Sequence, residues 1–146
     1  MQLKFMKDFL FRRATSSDRS EILALIRNFG DSRVADVLEA RFAETCADQS
    51  ALFEVFLNSN GVIIALVYGN AGELVEIAAN PNFLKPELRT ALYSTVKEWS
   101  EKTSSGMLES RPKLISGDWK TFFKKQGASI ETKKNPDGMR DCIRFS

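Results

Sequence analysis

Histidine is absent from all 146 residues, which removes most of the usual catalytic repertoire. Without an imidazole there is no Ser-His-Asp triad, no Cys-His dyad and no histidine general base. Catalysis, if the chain performs any, falls to carboxylates, lysines, tyrosines, cysteines, backbone groups or water. Cys46 and Cys142 are the only cysteines. With no histidine to activate them, both read as small packing residues rather than nucleophiles. Two thiols and no imidazole also fall short of a zinc ligand set, so no metal is expected. They are equally too few for a disulfide-stapled secreted scaffold.

The apolar spacing predicts the elements that must position any reactive side chain. Residues 9–13 can start a sheet, and Ala14-Thr15-Ser16-Ser17-Asp18 suits a helix N-terminus, with Ser17 as cap and Ser20 or Glu21 near its third position. Ile22, Leu25, Ile26 and Phe29 repeat at helical spacing until Gly30. Asp31-Ser32 restarts a helix with Val34, Val37, Leu38 and Phe42 on one face, reaching Cys46. From Ala51 the period changes. Leu52, Val55, Phe56 and Leu57 read as a strand, Asn58-Ser59-Asn60-Gly61 as a turn and residues 62–68 as a buried strand, an antiparallel hairpin. A third strand over residues 73–78 closes at Asn80-Pro81.

Residues 84–102 form a long helix with Leu88, Ala91, Leu92, Val96 and Trp99 inward. Pro86 suits its first turn, where a missing N–H costs nothing. A short strand follows at residues 106–109. Ser116-Gly117-Asp118 then caps an amphipathic helix over residues 119–126, with Trp119, Phe122 and Phe123 as its apolar side. Residues 128–131 and 139–145 are a last pair of strands around Asn135-Pro136-Asp137-Gly138. This order predicts an α+β fold with a mixed, mostly antiparallel sheet and helices on both faces.

Composition fits that fold: 43% hydrophobic and 27% charged residues describe an ordinary globular chain rather than a disordered one. One domain spanning residues 1–146 is expected, since no repeat or Pro/Gly/Ser linker divides it. Residues 1–10 mix Lys4, Lys7 and Asp8 into their apolar side chains and do not read as a signal peptide. The longest apolar run, residues 62–68, is far too short to cross a membrane, so a cytoplasmic protein is expected. The net charge of +2 is uneven: residues 111–146 hold nine basic and four acidic side chains. That third is either a solvated face or a surface for an anionic partner. Few aromatics interleave with its charges, so nucleic acid is not the expected partner.

Three segments, in order, resemble the GNAT superfamily of coenzyme A-dependent N-acetyltransferases, and together they span nearly the whole chain. Phe11-Arg12-Arg13-Ala14-Thr15 with Asp18 and Glu21-Ile22 is similar to the family's first strand and helix. Residues 61–68, the strand over residues 73–79, Asn80-Pro81 and the long helix are similar to its centre. Thr121-Phe122-Phe123-Lys124-Lys125-Gln126-Gly127-Ala128 resembles its late FYxKxGF helix end. The resemblance implies acetyl-CoA as acyl donor and a small amine as acceptor. It places Ile77, Ala78 and Ala79 beside the pantetheine arm and Lys85, Leu88 and Arg89 near the phosphates. It makes Glu76 the candidate base, with Glu73 near the strand's start, although an outward-facing carboxylate is the plainer reading of both.

Departures from the family fall where its cofactor chemistry is concentrated. The family's Arg/Gln-x-x-Gly-x-Gly/Ala loop, whose N–H groups bind pyrophosphate, is here Leu84-Lys85-Pro86-Glu87-Leu88-Arg89. Glu87 and Arg89 fill both glycine positions, Pro86 removes a donor, and the Glu87 carboxylate repels an anion. The family's usual tyrosine acid corresponds to Phe123, which has no proton to give. Neither Tyr68 nor Tyr93 fits the vacant position. The resemblance therefore implies a degenerate member. It acts either as an acyltransferase or as a non-catalytic module that binds a protein partner, a second copy of the chain among the candidates. Small, glycine-poor GNAT-like proteins of tailed phages have a similar ending, which adds the virion as an alternative location.

Overall fold

The computed structural model describes residues 4–5, 9–110, 115–136 and 138–146. Its strands are β1 (Lys4–Phe5), β2 (Leu10–Arg13), β3 (Leu52–Leu57), β4 (Ile63–Asn70), β5 (Glu73–Ala79), β6 (Met107–Ser110), β7 (Ser129–Asn135) and β8 (Gly138–Arg144). Its helices are α1 (Arg19–Phe29), α2 (Ser32–Ala40), α3 (Phe42–Ala47), α4 (Pro86–Ser104) and α5 (Gly117–Lys125). The strands form one mixed sheet in the order β1-β2-β3-β4-β5-β6-β8-β7. Every pairing is antiparallel except β5 with β6, which α4 connects. The fold is α+β with a mostly antiparallel sheet, as the element order predicts.

Helices cover both faces because the strands are apolar on both. On one face Ile22, Ile26, Val34, Leu38 and Phe42 of α1–α3 pack on Phe53, Val55 and Leu66. On the other, Leu88, Leu92, Val96 and Trp99 of α4 and Phe123 of α5 pack on Phe56, Val67 and Ile143. Strands buried on both sides read as continuous apolar runs, which is why β4 is buried from Ile63 to Gly69. The β4–β5 hairpin turns through Ala71 and Gly72, at φ +48° and +79°. A two-residue primed turn needs positive φ at both positions, and glycine supplies one without strain.

Three local differences from the spacing have physical causes. Ser17 is not the cap: Thr15 and Asp18 form a capping box around a short 3₁₀ turn, Ser16–Asp18, that leads into α1. The helix expected to run on to Cys46 breaks at Arg41, which ends α2 and starts α3. The Arg13 guanidinium donates to the carbonyls of Ala51 and Asp48, both at 2.6 Å, and so draws the end of α3 against β2. The last hairpin is longer than expected because β7 continues through Lys133 and Lys134, exposed residues without strand alternation. Asp137, at its turn, lies outside the described residues. Among the described residues no helix is long and apolar enough to cross a membrane.

Candidate functional site

One extra residue in β5 builds the site. Tyr68 of β4 faces Glu76 and Gly69 faces Leu74, so Val75 has no partner in the ladder. Such a bulge re-aims the side chains beyond it. Leu74, Ile77 and Ala79 pack on the α4–α5 side, while Val75 and Ala78 pack on the α1–α3 side. On its other edge β5 meets β6 only through Glu73 opposite Glu109 and Leu74 opposite Ser110. Beyond that point the sheet opens. A cleft of about 60 Å³ lies in the opening, lined by Leu74, Glu76, Ile77, Ser110, Ile115 and Trp119.

Strict alternation puts Glu76 on the side of Leu74; with the bulge it shares the α1–α3 side with Tyr68 and Ala78, and it does not face outward. Glu76 is 4% exposed, and its Oε1 accepts the Asp31 N–H at 2.6 Å, in the loop between α1 and α2. Gly30 makes room for it, since a Cβ there would lie 2.5 Å from Oε1 and 3.1 Å from the Ile26 carbonyl oxygen. Gly30→Ala is therefore expected to push the carboxylate off Asp31 and cost about 1–3 kcal/mol, an overpacking penalty. A melting temperature equal to that of the unmodified protein would show that the loop yields freely. Glu73 is also engaged: Arg140 Nη1 lies 3.7 Å from its carboxylate and 3.5 Å from that of Glu109.

The other candidate positions lie around the cleft and the head of α4. Ile77 and Ala79 are half-buried on the α4–α5 side, and Ala78 is fully buried on the other. Lys85 is the exposed N-cap of α4, Pro86 its first residue and Glu87 its second. The side chain of Leu88 belongs to the core, at 2% exposure. Arg89 places its guanidinium 5.8 Å from the centre of the Trp119 ring, joining α4 to α5. Phe123 is fully buried among Tyr93, Trp119 and Phe145, with ring centroids 5.0, 6.1 and 6.0 Å away. Burial pushes the Cys46 thiol above its ordinary pKa, away from the reactive thiolate.

Sequence reasoning missed a second polar cluster beside the cleft. Asp141 of β8 is fully buried and accepts from Thr132 Oγ1 at 2.5 Å and from the Ile115 N–H at 2.8 Å. Lys120 Nζ of α5 lies 3.1 Å from the same carboxylate. Ser110 Oγ accepts the Asp141 N–H at 3.0 Å. The four partners come from β7, β6, α5 and the segment before α5, so no local pattern announces them.

Solved structures with this architecture include acetyltransferases. The PaiA N-acetyltransferase from Thermoplasma acidophilum, solved in complex with coenzyme A, aligns over 95% of this chain and 100% of its own, with a TM-score of 0.66 at 10% identity. A GNAT-family acetyltransferase from Staphylococcus aureus Mu50 aligns over 93% and 98%, with a TM-score of 0.71 at 10% identity. The ribosomal-protein-S18-alanine N-acetyltransferase from Escherichia coli aligns over 92% and 90%, with a TM-score of 0.62 at 16% identity. No protein-family model and no curated protein matches the sequence. The chain has the fold of the GNAT acetyltransferases.

Proposed function

We propose that residues 1–146 act as one GNAT-like domain that has kept the acetyltransferase fold without a working coenzyme cradle. In this reading the domain works through its surface, as a structural or protein-binding module. The observation that carries it is the head of α4. A coenzyme A pyrophosphate docked there needs successive backbone N–H groups and close approach. Pro86 supplies no N–H, and Glu87 sets a carboxylate in the first turn, at the positive end of the helix dipole. Lys85 offers positive charge, but Arg89 already stacks on Trp119.

A further feature supports the same reading. Phe123, where the family resemblance places a tyrosine acid, is fully buried and has no hydroxyl. These residues do not fit acetyl-CoA bound in the family's manner. Ile77, Ala78, Ala79 and Leu88 then serve packing, and Arg89 braces α5. The setting proposed is the cytoplasm, or the virion if the domain is a phage structural part, an alternative that the resemblance of its ending to GNAT-like phage proteins supports.

Titration calorimetry with acetyl-CoA and with coenzyme A tests the proposal. The unmodified protein is expected to bind either more weakly than about 1 mM, which corresponds to roughly −4 kcal/mol. Glu87→Gly is expected to tighten binding several-fold, by about 1 kcal/mol, through relief of charge at the helix terminus. Micromolar binding by the unmodified protein, with thiol release in the presence of an amine, would overturn it. A second reading, acyl transfer to a small amine, is favoured by the buried Glu76 at the opening of the sheet. There Glu76 would take the proton of the attacking amine, and the outgoing thiolate would be protonated by solvent.

A further inference from the structure

β7 is the outermost strand of the sheet, and among the described residues it pairs only with β8. One row of its N–H and C=O groups therefore faces outward, a template for another strand. Lysines on such an edge commonly prevent pairing, because like charges meet across the new ladder. The order Glu131-Thr132-Lys133 reverses that effect. When two copies of β7 run antiparallel about a two-fold axis through Thr132, Glu131 of each copy falls opposite Lys133 of the other. Ser129 then falls opposite Asn135, and Ile130 meets the aliphatic stem of Lys134. Moving the axis by one residue sets Lys133 against Lys133, or Glu131 against Glu131, which is unfavourable.

The charges that this register needs are in place. Glu131 and Lys133 lie on the same face of the strand, with Oε2 and Nζ 4.0 Å apart, and their side chains are 75% and 53% exposed. Neither is held by the core, so both are available to a neighbouring strand. Thr132, on the opposite face, is fixed by Asp141, which steadies the residue that would lie on the axis.

We infer that the chain forms a symmetric dimer with a second copy of itself through β7. The sheet continues from one chain into the next, and two Glu131–Lys133 pairs bridge the axis. The arrangement is closed, since each copy uses its outer edge once.

Sedimentation equilibrium on single-charge variants tests the register as well as the dimer. The unmodified protein should run at twice the chain mass at high micromolar concentration, less so at high salt. Glu131→Lys and Lys133→Glu should each weaken self-association by about tenfold or more, because each sets like charges opposite one another twice. An equimolar mixture of the two variants should recover the dimer, because every pair across the axis is again Lys with Glu. The doubly exchanged chain should recover it alone. Rescue in the mixture excludes misfolding as the cause of the single-variant loss. A monomeric unmodified protein, single variants that associate normally, or a mixture that stays monomeric would each overturn the inference.

Discussion

Asp18→Ala is expected to cost about 3–5 kcal/mol, because it leaves a largely buried guanidinium without its partner. Arg12 Nη1 and Nη2 reach the two Asp18 oxygens at 2.7 and 2.9 Å, with side chains 15% and 7% exposed. The same carboxylate accepts the Thr15 N–H at 2.8 Å, so one side chain joins β2 to the start of α1. For a chain of this size each kcal/mol shifts the melting temperature by about 2–4 °C, which puts the expected drop near 10 °C. Burial decides the size of the effect. Arg27 and Asp36 also meet at 2.7 Å but stand largely in solvent, and Asp36→Ala should leave the melting temperature nearly unchanged. The hydrogen bond from Arg12 outweighs burial and holds the Asp18 carboxyl below its ordinary pKa. Its stabilisation is therefore present above the unfolded aspartate value, near about pH 4, and is lost as pH falls through the lower folded value. The stability gap between the unmodified protein and Asp18→Asn should shrink on acidification; a gap independent of pH would contradict the pairing.

The parts of this fold that are legible in the sequence are those whose causes are local. Pro86 in a first turn, inward side chains from Leu88 to Trp99, and Asn58-Ser59-Asn60-Gly61 between apolar runs each act within one turn or hairpin. The head of α4 is legible for the same reason, since Pro86 and Glu87 act on the helix terminus they occupy. The site is less legible because it depends on register. One unpaired residue, Val75, decides which way Glu76 points, and nothing in Leu74-Val75-Glu76-Ile77 marks it as the extra one. Likewise α3 ends where Arg13, more than thirty residues earlier, draws its terminus toward β2. The extension of β7 beyond Glu131 is hidden by its position, since an exposed edge strand need not alternate.

Asp141→Ala is expected to lose about 1–3 kcal/mol, for it removes the shared acceptor of three donors that hold a fully enclosed carboxylate. Alanine leaves the Ile115 N–H, the Thr132 hydroxyl and the Lys120 ammonium without their shared acceptor. Asp141→Asn keeps an acceptor oxygen but not the charge, and should lose less. Burial pushes the Asp141 carboxyl upward, but the bonds from Thr132, Ile115 and Lys120 together outweigh it and hold the pKa below the ordinary value. This contribution too is present at neutral pH and fades as pH falls through the lowered folded value. The loss should also be local. Ile115 and Lys120 bracket the first turn of α5, and Trp119, between them, lines the cleft beside β5. Without Asp141 that turn is held mainly by the packing of Phe123 and by Arg89 on Trp119. Amide hydrogen exchange in α5 should therefore accelerate well before exchange in α1, which packs on the opposite face. An unchanged melting temperature would show that the cluster does not brace the fold. Equal acceleration in α1 and α5 would remove Asp141 as the local anchor of α5 against the sheet.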